Sequence, residues 1–258
     1  MNKWPPTSGH FLEWHIPSMY TDGNSDGRIM KLNYKFTYEK LDRVTNADGT
    51  RYYVEPKTRL ALPSVTTILS ATADKTGIAL WEEFVGPKKA KKEKDYATAL
   101  GTLVHTHIEK YILGDERPGG NNIIRVQSKL MSDQIINRGL SQVDEVWGQE
   151  VALYFPGFYA GTTDLVGVHQ GEEAIMDHKT AKKMRSRDMI EDYFCQMAAY
   201  ALAHNEVYGT NIRKGVIFMV DRQLQFSEFI LGPLEMERYT NRFLERAEVY
   251  FRAQLEEA

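Results

Sequence analysis

Three charged residues set among apolar ones offer the clearest chemistry in this chain. Asp164 follows Gly161-Thr-Thr and precedes Leu-Val-Gly, while Asp177 and Lys179 lie in Ile175-Met-Asp-His-Lys-Thr180. Both segments read as strands, and in a strand the side chains at i and i+2 share a face. Asp177 and Lys179 are therefore expected to project together, with His178 turned the other way. Taken singly, each could be an ordinary surface charge. Together, on adjacent apolar strands, they need one another or a metal ion to offset their desolvation. Two carboxylates beside one amine can hold a hard divalent cation and position a water, which is equipment for phosphodiester hydrolysis.

Two aspartates plus a main-chain carbonyl, that of His178, would suit Mg2+. Lys179 could orient the water or balance developing negative charge, and an amine beside a metal is biased toward a lower pKa. Glu150, on the preceding strand, could align a second cation or pair with a lysine. His105 and Glu109 are four apart on an upstream helix and share a face. His105 reads as a structural histidine or a further metal ligand, Glu109 as its orienting partner, and His107 as a surface residue. Gln196 and Tyr200 also share a helix face, where they either brace Lys179 or the substrate phosphate, or form plain core with Tyr193, Met197 and Ala201. Lys88, Lys89, Lys91 and Lys92 make one basic run, and Lys182, Lys183, Arg185 and Arg187 a second. Each is a solvated face or a track for phosphates, with Trp81 and Tyr96 available to stack on bases.

The elements that must position these residues follow from periodicity. Residues 1–60 carry Gly, Asp and Asn turns (Asp22 to Gly27, Asn46 to Gly49) around strands at Lys31–Tyr38 and Arg51–Val54, a β-rich appendage. Ser64 is placed to cap a short helix. A second helix covers Gly77–Val85 and ends at Pro87, the lysine run follows, and Tyr96–Leu113 is helical with Gly114 at its end. A helix over Asn121–Arg138 precedes strands at Glu150–Phe155, Phe158–His169 and Ala174–Thr180. A helix over Arg187–Tyr208, a hairpin of Gly215–Val220 and Gln223–Leu231, and a helix over Pro233–Glu256 complete the order. Helices, three strands, helix, two strands, helix is an α/β arrangement with a mixed sheet.

Composition sets the outer bounds. The 258 residues, 42% hydrophobic, suit one large domain with a real core. No apolar run approaches the roughly 18–20 residues of a membrane span, and the first residues lack the apolar stretch of a signal peptide. One cysteine, Cys195, excludes an internal disulfide and a four-cysteine iron–sulfur cluster within the chain. These features point to a reducing, cytoplasmic setting. The net charge of −3 is not that of a general polyanion binder, so local patches matter more than the total. Walker, GxSxG, HExxH and zinc-finger spacings are missing from the sequence.

Gly101-Thr-x-x-His105, Gly161-Thr-x-Asp164, Asp177-x-Lys179 and Gln196-x-x-x-Tyr200 stand in the order of the RecB-like branch of the PD-(D/E)xK nucleases, which the chain resembles across about residues 62–231. Leu62-Pro-Ser-Val-Thr66 and Gly101-Thr-x-x-His-x-x-Ile-Glu109 resemble the mitochondrial genome maintenance exonucleases and their phage-encoded relatives. The resemblance implies a restriction-endonuclease-like core in residues 61–258 with a β-rich appendage at 1–60. It implies Mg2+- or Mn2+-dependent cleavage of single-stranded DNA from free ends, in replication, repair or recombination and alongside proteins of those processes. His105, Asp164 and Asp177 would be metal ligands, Lys179 the catalytic lysine, and Gln196 and Tyr200 its supports. The 77–100 segment is where a helical arch over the strand would lie. With one cysteine, the chain departs from the iron–sulfur members of the branch. A flap or structure-specific endonuclease on the same core, and a non-catalytic nucleic-acid-binding module, are the alternatives.

Overall fold

The structure, a computed structural model, describes residues 30–46 and 50–256. The turn expected at Asp22 to Gly27 and most of that at Asn46 to Gly49 lie outside the described residues. The strands are β1 (Lys31–Leu32), β2 (Asp42–Thr45), β3 (Arg51–Val54), β4 (Ala61–Pro63), β5 (Val143–Phe155), β6 (Tyr159–His169), β7 (Glu172–Ala181), β8 (Gly215–Asp221) and β9 (Phe226–Leu231). The helices are α1 (Val65–Ala71), α2 (Thr76–Val85), α3 (Pro87–Leu113), α4 (Ile123–Gln134), α5 (Glu191–Tyr208) and α6 (Pro233–Glu256).

Six strands form one mixed sheet in the order β1-β5-β6-β7-β8-β9, and β2-β3-β4 form a separate antiparallel sheet. Within the large sheet β7 and β8 run parallel, as do β1 and β5, while the remaining neighbours are antiparallel. Helices cover both faces. Ile175 of β7 joins the core under α1, α5 and α6, whereas Ala174 and Met176 join the core under α3 and α4. This alternation follows from the two-residue period of a strand buried on both sides. It also decides the site. Asp177 and Lys179 continue the Ile175 face toward α5, and His178 continues the Met176 face toward α3.

The α/β class, the mixed sheet and the element order agree with the sequence reading. Ser64 caps α1 by accepting the Thr67 N–H at 2.9 Å, and Gly114 ends α3 in the left-handed conformation at φ 73°. Elsewhere the structure differs. Gly86, at φ 83°, ends α2, and Pro87 opens α3 rather than closing the helix before it. The lysine run is therefore the first half of a 27-residue helix. The strand expected over Lys31–Tyr38 stops at Leu32, because Phe36 and Tyr38 turn inward against His204 and Tyr208. Strand β9 starts at Phe226: the Asp221 carboxylate accepts the N–H groups of Gln223 and Gln225, holding residues 222–225 as a turn. No described helix is long and apolar enough to cross a membrane.

Candidate active site

The site forms where β6 and β7 part. Their ladder runs from His169 paired with Glu172 to Leu165 paired with Met176, and then ends. Strand β6 stays on β5, with Thr163 opposite Val151, while β7 continues on β8, with Asp177 opposite Ile217. A backbone N–H left at such a fork must find another acceptor. Here the Asp164 carboxylate supplies it, taking the His178 N–H at 2.6 Å. The divergence thus places Asp164 across from Asp177 and Lys179.

Two imidazoles converge on Asp164. His105 of α3 lies 3.5 Å away through Nδ1, and His178 lies 3.5 Å away through its own Nδ1. The other His105 nitrogen, Nε2, is 3.0 Å from the His178 carbonyl. A carbonyl only accepts, so Nε2 carries the proton and donates. In neutral His105 this leaves the Nδ1 lone pair facing Asp164, with Glu150 4.0 Å away. A lone pair facing carboxylates needs a proton or a cation between them. The His105, Asp164 and His178 ligand atoms lie within 4.8 Å of one another. The expected carbonyl of His178 is thus turned to His105, and it is the His178 ring that joins the group.

Asp177 is 1% exposed, and its carboxylate is ion-paired to Lys179. Lys179 is the cation that meets this buried carboxylate, through Oδ2. The donor set of one carboxylate and two imidazoles fits a divalent metal ion, with His105, Asp164 and His178 as the residues that would hold it and the Asp177–Lys179 pair beside them.

The charges are strongly coupled. The Asp164 carboxylate raises His105 to about 9 against the effect of burial. Burial pushes Asp164 up, but His105, His178 and Lys179 outweigh it and hold the carboxyl well below the usual carboxylate range. Burial, then the Asp164 charge, raise Asp177 to about 6 despite Lys179. Burial alone would lower Lys179, yet Asp177 and Asp164 overcome it and raise the amine. Here two carboxylates outweigh desolvation. Glu150 stands in the left-handed region at φ 48° at the rim of the same concavity as Glu109, and withdrawal from water, then Asp164, raise its carboxyl to about 7. No hydrogen bond joins Glu109 to His105 among the described residues.

On the α5 side, Gln196 donates to the Tyr200 hydroxyl at 3.0 Å. The Tyr200 ring lies so close to Gly161 that a Cβ there would sit 2.6 Å from Tyr200 Cε1. The glycine thus serves ring packing. Gln196 and Tyr200 meet each other, not Lys179. The residue over Lys179 is Tyr193, with the amine 4.9 Å from its ring centroid. Spacing could have placed Tyr193 on this face, since 193, 196 and 200 fall at i, i+3 and i+7, but nothing distinguished it from core.

Other sequence expectations sort by contact. His107 is fully buried between α3 and α4 rather than at the surface. Tyr96 is occupied, bonded to Gln127 at 2.5 Å and lying 4.7 Å from the Arg222 guanidinium, so its ring is not open for stacking. Lys91 pairs with Asp95 and Lys182 with Glu93. Lys88, Lys89, Lys92, Lys183 and Arg185 have no ion-pair partner among the described residues. Cys195 is fully buried, in line with its reading as small apolar core.

No protein-family model and no curated protein matches the chain. Among solved structures, the chain is similar to a provisionally assigned exonuclease from Eubacterium rectale, with TM-score 0.42 and 14% identity over 59% of this chain and 68% of that one. A phage-related exonuclease from Haemophilus somnus 129PT matches with TM-score 0.33 and 14% identity over 60% and 82% of the two chains. An alkaline exonuclease from Laribacter hongkongensis matches with TM-score 0.31 and 9% identity over 76% and 95%. At scores this low the likeness says nothing about chemistry, which is carried by the side chains at the β6–β7 fork.

Proposed function

We propose that this chain is a metal-dependent nuclease of the PD-(D/E)xK type, RecB-like and nearest the mitochondrial maintenance and phage-encoded exonucleases. It hydrolyses single-stranded DNA from a free end. The observation that carries the reading is the fork of β6 and β7, where the Asp164 carboxylate gathers two imidazoles and stands across from the buried Asp177–Lys179 ion pair. A stable fold gains nothing from this concentration of buried charge, since replacing such groups by apolar ones is often neutral or better. A divalent cation, when bound, polarises the scissile phosphate and lowers the pKa of a water. The Lys179 ammonium faces negative charge developing on the phosphate oxygens. Glu150, raised to about 7, is suited to take up a proton from the attacking water. Gln196 and Tyr200 hold the α5 wall of the site in place.

Residues 61–258 form the catalytic domain in this reading, and 77–100 the arch over the strand. Support for a single strand comes from α2 and the start of α3. Ile78, Trp81 and Phe84 stand on one side of α2 and are 55%, 36% and 89% exposed. Lys88, Lys89 and Lys92 follow at once. Aromatic faces beside unpaired ammonium groups suit unstacked bases on a phosphate backbone, whereas a duplex hides its base faces. Lys183 and Arg185, just after β7, offer further phosphate contacts.

End-labelled linear and circular single strands, incubated with Mg2+ and with a chelator, test the reading. Linear DNA should shorten, circles should survive, and chelation should stop the reaction. Cleaved circles would move the assignment to an endonuclease, chelator-resistant cleavage would remove the metal, and intact linear strands would overturn the nuclease.

A further inference from the structure

Lys179 has two neighbours of opposite electrostatic character. Asp177, two residues back on the same strand face, holds it as an ion pair. Tyr193, in the first turn of α5, presents its ring 4.9 Å from the amine. The Lys179 side chain is 18% exposed, so these two contacts take up much of its surroundings. The Tyr193 hydroxyl makes no hydrogen bond among the described residues, and the residue is half-buried rather than sealed in the core. What it offers the site is therefore the negative face of its ring.

Resting on the nuclease reading above, we propose that Tyr193 is a positioning residue that caps the Lys179 ammonium and aims it out of the strand. An ammonium carries three N–H donors. Asp177 draws one back toward β7, and the ring shields a second side, which leaves one side of the ammonium for a substrate oxygen. A carboxylate that bonds a metal ion has less charge to offer an amine, so the ring is the contact that persists when Asp177 turns to a cation. Tyr193, Gln196 and Tyr200 then form one wall of α5: the last two bond each other, and the first holds the lysine.

Two variants and two readouts test this. Tyr193→Leu keeps bulk without the ring face, and Tyr193→Phe keeps the face without the hydroxyl. Acylation of Lys179 by acetic anhydride, followed by peptide mass spectrometry, reports the cap without any reference to activity. Tyr193→Leu should raise Lys179 labelling several-fold and lower kcat about tenfold with KM held within about twofold, as loss of one cation–ring contact implies. Tyr193→Phe should match the parent in both. Parental labelling in Tyr193→Leu, a change confined to KM, or equal damage in Tyr193→Phe would overturn the proposal. A parent chain that cuts no strand would instead overturn the nuclease reading, while the labelling would still decide the cap.

Discussion

Helices α5 and α2 are built in opposite ways. Ten residues of α5 are buried, and α2 has none. Helix α5 lies in the middle of the larger core cluster, with Phe194, Cys195, Met197, Ala198 and Ala199 all at 0% exposure. Helix α2 shows apolar side chains to solvent and ends on a glycine. Large apolar residues are kept exposed at a cost in folding free energy when something else is meant to cover them. In the proposed nuclease the contrast separates two tasks: α5 would fix the positions of reacting groups, and α2 with the start of α3 would be the surface for the strand.

Changes at the α5 wall should be the most damaging. Gly161→Ala drives a methyl into the Tyr200 ring inside a packed core, and should cost about 1–3 kcal/mol of unfolding free energy. It should also lower cleavage, because the ring must move. Denaturant titration and a strand-digestion assay read the two effects, and an unperturbed melt would mean that this wall is looser than described.

A second break comes from His204, further along α5. Thr210 donates its hydroxyl proton to Asn205, so it accepts from His204 Nδ1 at 2.8 Å, and Nε2 is left to accept from the Tyr38 hydroxyl at 3.1 Å. Burial lowers this imidazole from 6.5 to about 4. The folded pKa lies below the unfolded one, so the stabilisation is complete above pH 6.5 and is lost as pH falls toward 4. Between pH 8 and pH 5 the parent should lose about 2 kcal/mol more than His204→Gln, which has no proton to gain. Equal losses in both chains would show that His204 is not the titrating group.

The smallest effect on stability belongs to α2. Trp81→Ala and Phe84→Ala should shift unfolding by no more than about 0.5 kcal/mol, while weakening single-strand binding by about tenfold. Duplex binding should change little. Substantial loss of stability would place these side chains in the core, and unchanged strand affinity would remove α2 from the DNA surface.

The sequence made the strand chemistry legible because a strand's period is short. Asp177 and Lys179 share a face and His178 opposes them by geometry alone, and Ser64 and Gly114 mark helix ends through local bonding. Long-range features left no such trace. The fork between β6 and β7 depends on which strand pairs beyond Leu165, and no residue near it announces the change of partner. His107 reads as polar and is buried because α4 returns over α3. Tyr193 looks like one more core aromatic until β7 brings Lys179 beneath it. Pro87 carried both meanings, helix end or helix start, and the left-handed Gly86 before it settles which.

Asp164, Asp177 and Lys179 are the residues proposed to cut a phosphodiester. The most direct measurement compares the parent with Lys179→Ala on end-labelled linear single-stranded DNA in Mg2+, with cooperative unfolding checked in both. The expected result is digestion by the parent and a loss of at least about a hundredfold in the variant. Digestion at the parental rate by a folded Lys179→Ala chain would contradict the account.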